Sequence, residues 1–167
     1  MIIEYTATKP YKLPWVLAFL FLSNMVWSQT TSQEKMADLA FMTGKWIGTS
    51  TSYKDGAITN QVPAYQHIAY DLNNTILVIQ LNSETLQLHT IIRYDEKDET
   101  YYYYPFSKRG VSQLAAEYTD GKLMVKANEK TRYIFERTGE KSFREYGERL
   151  TDGQWVKFFE DTFTDTE

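Results

Sequence analysis

Cysteine is absent from all 167 residues. That excludes disulfides, thiol nucleophiles, thiolate metal sites and a lipid-modified cysteine anchor, so the fold must be held by its core alone. Histidine is scarce as well: His67 and His89 are the only two. A structural zinc needs four ligands and a catalytic one three, so the sequence offers neither a metal site nor a cofactor ligand set. Basic residues do not outnumber acidic ones, and the formal net charge is −4. A nucleic-acid partner would require a basic stripe, and none is written here. The nucleophile-elbow pattern Gly-x-Ser-x-Gly is missing too. The carboxylates Asp95, Glu96, Asp98 and Glu99, and later Glu160, Asp161 and Asp165, gather in stretches that read as solvated turns. No side chain is therefore assigned a catalytic role, and an enzyme is not the expected reading.

Long hydrophobic runs are also lacking. A membrane-spanning helix takes about 20 apolar residues, whereas the run Leu13 to Leu22 is shorter and is interrupted by Pro14. Lys9 and Lys12 precede it, and Val26-Trp27-Ser28 follows. A basic segment, a short apolar segment and small residues at −3 and −1 form the secretory pattern. Residues 1–28 are expected to be a signal peptide cleaved before Gln29, with an uncleaved anchor as the alternative. The mature chain is then secreted or periplasmic, with no stable membrane insertion.

What the chain has in quantity is aromatic side chains, 13 Tyr, 9 Phe and 4 Trp, a composition suited to sheets. Residues 29–35 read as a polar linker and residues 36–167 as one domain. Met36, Leu39, Ala40 and Met42 recur at helical spacing before Thr43-Gly44, which predicts one short helix. After Gly44 the chain reads as about ten strands separated by turn residues. Three of the turns are Asp-Gly hairpin signals, at Asp55, Asp120 and Asp152. A bulge or break is expected near Pro63. With no room for crossover helices, pairing must be antiparallel. A meander of this length leaves two open edges unless it closes, so the expected fold is all-β: an up-and-down barrel of about 8–10 strands. A two-sheet sandwich is the rival.

The segment Phe41-Met42-Thr43-Gly44-Lys45-Trp46-Ile47-Gly48, the pair Arg93-Tyr94-Asp95 and Tyr101-Tyr102, and the late segments Phe143 to Arg149 and Thr151-Asp152-Gly153-Gln154-Trp155 carry a resemblance. Together they resemble short exported bacterial lipocalin-like (calycin-like) barrel domains of unknown function. The resemblance implies a barrel with an internal cavity. It also implies that Gly44 and Trp46 close one end, often under an arginine from a late strand, for which Arg144 and Arg149 are the candidates.

Alternation along strands puts either Tyr102 and Tyr104 or Tyr101 and Tyr103 inside. An arginine inside a binding barrel can meet a ligand carboxylate, which makes His89, Arg93, Tyr102 and Tyr104 the candidate ligand-binding residues, with Arg93 outside in an ion pair as the alternative. The expected function is interior binding of a small apolar or amphipathic molecule. The alternatives are a protein- or envelope-interaction module using an aromatic outer face, a haem-binding barrel, or an enzyme.

Overall fold

The computed structural model describes residues 31–167. The expected signal peptide, residues 1–28, and residues 29–30 of the expected linker lie outside the described residues.

The chain enters through helix α1 (Ser32–Ala37) and one 3₁₀ turn (Ala40–Met42). The helix begins earlier than the apolar spacing predicts, inside the stretch read as linker. The cause is a capping box: the Thr31 hydroxyl accepts from the Glu34 N–H, and the Glu34 carboxylate accepts from the Thr31 N–H at 2.9 Å. Those two polar residues carry a helix start that an apolar count does not register.

Eleven strands follow: β1 (Gly44–Lys54), β2 (Ala57–Asp71), β3 (Ile76–Ser83), β4 (Gln87–Asp95), β5 (Thr100–Ser107), β6 (Gly110–Val111), β7 (Leu114–Thr119), β8 (Lys122–Asn128), β9 (Thr131–Gly139), β10 (Ser142–Thr151) and β11 (Gln154–Asp165). Each long strand pairs antiparallel with its neighbours in sequence, and β11 pairs back onto β1. Ten strands thus form a closed antiparallel barrel. Strand β6 is a two-residue return onto the end of β5. Strands β6 and β7 are thus separate pieces, and only Tyr101, Tyr102 and Tyr103 of β5 pair with β7.

The three Asp-Gly turns have positive φ at both positions, as type I′ hairpins require. At Pro63 the expected bulge does not form. Strand β3 pairs with β2 only from Ala64 onward, so one side of β2 before that point completes no ladder and a proline fits there. The irregularity on β2 lies four residues earlier, where Ser52 pairs with Asn60 and Tyr53 with Ile58, leaving Thr59 as the extra residue.

One end of the barrel is plugged. Met36, Leu39 and Met42 from the helical segment are fully buried against Trp46, Ile68, Leu77 and Phe143. Carbonyls of the plug accept hydrogen bonds from ring side chains of the barrel, Lys35 O and Met36 O in addition to the backbone N–H groups of Asp38 and Leu39. The Tyr70 hydroxyl donates to Met36 O at 2.6 Å, the Tyr101 hydroxyl to Lys35 O at 2.7 Å, and the Trp46 indole N–H to Met42 O at 2.7 Å. Trp46 meets Phe143 edge-on with ring centroids 4.7 Å apart, and Phe143 stacks on Phe163 at 5.1 Å. Gly44, with φ +146°, lies against the indole, where a Cβ would come within 3.2 Å of the ring. Gly44 and Trp46 both lie beside the helical segment at this end.

Neither candidate arginine covers Trp46. Trp46 faces inward, whereas Arg144 lies over Tyr146 and Arg149 over Phe158. On β10 the inward positions belong to Phe143, Glu145 and Gly147, so an arginine at 144 has the wrong parity.

Truncating the plug tests its weight. Leu39→Ala is expected to lower unfolding stability by about 2–5 kcal/mol, whereas Leu86→Ala, at an exposed position, should stay within about 0.5 kcal/mol. Urea denaturation followed by tryptophan fluorescence measures both.

Candidate functional site in the barrel lumen

The inner wall is mostly apolar: Ile68 on β2, Leu77, Ile79 and Leu81 on β3, Ile92 on β4, Leu123 and Val125 on β8, and Phe135 on β9 are all buried. Two carboxyl side chains share that space. Glu145 on β10 and Asp161 on β11 are direct register partners and are 9% and 3% exposed. Each is flanked at i±2 by inward residues, Phe143 and Gly147 for Glu145, Phe159 and Phe163 for Asp161. Their position on the strand, and not local polarity, sends them inside.

Around the pair are Gln66, Ser50, Tyr103 and Thr90. Gln66, 3% exposed on β2, donates through Nε2 to Glu145 Oε2 at 3.1 Å. Two strands, β1 and β11, separate β2 from β10 in the ring, so this bond crosses the lumen. Ser50 on β1 is the register partner of Asp161 on its other side. Tyr103 on β5 is buried, and the Thr90 hydroxyl lies 3.5 Å from its oxygen. Two buried acceptors, Gln66 Oε1 and Asp161 Oδ1, have no hydrogen-bond partner among the described residues.

Among the described residues no cationic side chain meets the pair. Burial pushes the Glu145 carboxyl up to about 8, reinforced by the Asp161 charge and opposed by the bond from Gln66. Burial also raises Asp161, to about 6, against hydrogen bonding from Ser50 and Glu145. The two titrate as one unit, with Glu145 holding a proton that it shares with Asp161 at neutral pH. Burial, with the Glu145 charge second, also raises the Tyr103 hydroxyl, which fixes it as neutral.

On the side of the pair away from the plug, Tyr133 and Phe159 stand half-buried with ring centroids 6.1 Å apart. Both are register partners of Gly147, which lies between them on β10. A Cβ on Gly147 would come within 2.3 Å of the Phe159 ring. The glycine therefore lets the ring lie over the strand and roof the carboxyl pair.

The residues expected to bind a ligand are elsewhere. His89 and Arg93 are exposed on β4, and Tyr102 and Tyr104 are half-buried on β5. Cross-strand register puts Arg93 beside Tyr102 and His89 beside Phe106, all on the outer wall. Arg93 forms an ion pair with Asp95, the Tyr102 hydroxyl donates to Asp98 at 2.9 Å, and the Tyr102 and Tyr104 rings are 6.3 Å apart. The four are gathered on one side, but the lumen belongs to the opposite parity, Thr90 and Ile92 with Tyr101 and Tyr103.

His67 and His89 likewise face outward, on either side of Gln80. Among the described residues no group of three or more His, Asp or Glu side chains is placed to hold a metal ion. Open clefts of 310–390 Å³ mark the outer wall and rims, and none of those four is lined by Glu145 or Asp161.

Sequence reasoning placed Asp161 in a turn and passed over Glu145. The available signal was the pattern Phe143-x-Glu145-x-Gly147 beside Phe159-x-Asp161-x-Phe163, an acid at the centre of an apolar strand face in each of two adjacent strands.

No family model and no curated protein matches this chain. Among solved structures it is similar to the crystal structure of a protein of unknown function from the DUF3598 family of Nostoc punctiforme, at 7% identity over 81% of this chain and 100% of that one. The TM-score is 0.29, a likeness that carries no argument. The barrel rests on this chain's own strand pairing.

The lumenal pair sets a pH dependence. The groups facing it are Ser50, Gln66 and Tyr103, with Glu160 next to Asp161 in sequence, and none of them is a cation. Both carboxyls have folded values above their ordinary ones, so the folded state binds more protons and stability falls as pH rises from the ordinary carboxylate range through about 8. The melting temperature is expected to drop between pH 5.5 and 8, and Glu145→Gln should remove most of that slope and raise the pH 8 value. A slope unchanged in Glu145→Gln would show that the pair does not set it.

Proposed function

We propose that this protein is an exported, lipocalin-like binding barrel that holds a small amphipathic molecule in its lumen. The observation that carries this reading is the partly satisfied polar cluster of Glu145, Asp161 and Gln66 inside an apolar wall. Binding sites for small molecules combine apolar lining with a few placed polar groups, and barrels of this strand number are wide enough to enclose one. The apolar wall takes the body of the ligand, and the two unpartnered acceptors take its polar end. Export is part of the same reading and rests on the N-terminal pattern.

Organic extraction of protein purified from its native compartment, followed by mass spectrometry, tests this. A stoichiometric small molecule, absent from the extract of an Asp161→Leu variant, is the expected result. Wild-type protein that carries nothing in any preparation would overturn it.

A second reading is favoured by the outer wall of β4 and β5, where Tyr102, Tyr104, Phe106, His89 and Arg93 collect. Aromatics gathered on an outer wall in this way, Phe106 exposed and Tyr102 and Tyr104 half-buried, suit an interaction site. On that reading the double substitution Y102S/Y104S abolishes retention of a defined envelope component in a pull-down. Its melting temperature should stay close to wild type.

A further inference from the structure

The lumenal ligand, on the reading just proposed, has a hydrogen-bond-donating head group, and the structure says which kind. We infer that the site around Glu145, Asp161 and Gln66 recognises a primary amine or similar cationic donor on an apolar body, and rejects carboxylates.

The groups that meet in the lumen are two carboxyls, one amide and the Ser50, Thr90 and Tyr103 hydroxyls. Gln66 Nε2 is already committed to Glu145. The free positions, Gln66 Oε1 and Asp161 Oδ1, are acceptors, and both belong to side chains that are 3% exposed. Leaving such a group unpaired costs about 1–3 kcal/mol. Only a donor relieves that cost. A carboxylate head group has no donor, and it would stand against two acids with no cation between them. Like charges in so dry a place repel strongly.

An ammonium group has three donors and no acceptor. It can bond both free acceptors and keep one donor for the Glu145–Asp161 pair, and its charge offsets that of the ionised acid. An alkyl or aryl body would be met by the apolar inward side chains beyond the cluster, among them Ile79, Leu81 and Ile92 of the core.

The sense of this selection is opposite to that of an arginine-anchored barrel. The basic group that would recruit an acidic ligand, Arg93, is outside and already ion-paired.

Binding of a cation also favours the ionised form of the pair, so the dyad gives up its shared proton as the amine enters. Affinity for an amine therefore rises between pH 6 and pH 8. The facing groups, Ser50, Gln66 and Tyr103, do not ionise in that range, and Glu160 outside is paired with Arg144 and Lys157.

Three probes with one body and different heads, octylamine, octan-1-ol and octanoate, test this by calorimetry and thermal shift on the wild-type protein, Glu145→Gln and Asp161→Asn. Octylamine is expected to bind wild type at least about tenfold more tightly than octanoate, the order a desolvated charge pair allows. It should also release protons, seen as a buffer-dependent heat. Asp161→Asn should lose that preference, and Glu145→Gln should lose the proton release. Glu145→Gln removes an unfavourable buried acid, so its folding does not limit the test. Octanoate binding as tightly as octylamine would overturn the head-group inference and leave lumenal binding standing. No binding by any of the three probes, together with an empty native extract, would overturn both.

Discussion

Closure of the strand ladder is the constraint on which the rest of this protein depends. With β11 returned onto β1 and β4 joined to β5, each long strand has a neighbour on both sides. Free edges, the usual liability of a long meander, are absorbed. A closed ladder also fixes parity absolutely, because a one-residue slip would turn every side chain to the other wall. The inward set is thereby committed to a single enclosed volume. That commitment gives Phe143 and Phe163 a shared stack beneath Trp46. The same commitment carries Glu145 and Asp161 into a place that neither would occupy alone.

The two walls solve their electrostatics in different ways. On the outer wall, charges alternate across adjacent strands: Lys122 with Glu136, Glu136 with Arg144, Arg144 with Glu160, and Glu160 with Lys157. Arg144 and Lys157 also lie over the Tyr146 ring. Every acid in that network has a base, and Glu136 is held below its ordinary value, burial being outweighed by Lys122 and Arg144. Inside, two acids meet with no base at all. The same two strands, β10 and β11, thus carry a matched outer network and an unmatched inner pair.

Much of the fold was legible because it is local. Turn residues punctuate the strands, the Asp-Gly pairs take the conformations their chemistry demands, and the lack of crossover segments leaves antiparallel pairing as the only option. Errors arose where the deciding partner is distant or polar. The helix start was hidden because Thr31 and Glu34 create it through hydrogen bonds and not through apolar spacing. Parity of β5 could not be chosen from Tyr101-Tyr102-Tyr103-Tyr104 alone, since four tyrosines read the same in either phase. Pairing with Ala116 and with Ile92 decides it, and both lie on other strands. The candidate site was missed for a related reason. An acid in sequence reads as solvated, and only the Phe residues two positions away reveal that it shares the apolar face.

A purely structural polar core would be expected to close its own accounts. Buried polar groups in folded proteins are overwhelmingly paired, and a half-satisfied network is less stable than an apolar one of the same shape. Here the barrel could bury leucine or methionine at 145 and 161 and gain stability. Instead it retains two acids, holds one of them through a glutamine reaching across the lumen, and leaves two acceptors open. Departures from local consistency of this kind concentrate where a protein does its work. The plug supports the same conclusion from the other side. Its carbonyls are individually met by Tyr70, Tyr101 and Trp46, so this chain satisfies buried backbone groups thoroughly where only structure is at stake. The incomplete satisfaction in the lumen stands against that thoroughness, beneath the half-buried rings of Tyr133 and Phe159 beside Gly147, and it is the observation on which the proposed donor ligand rests.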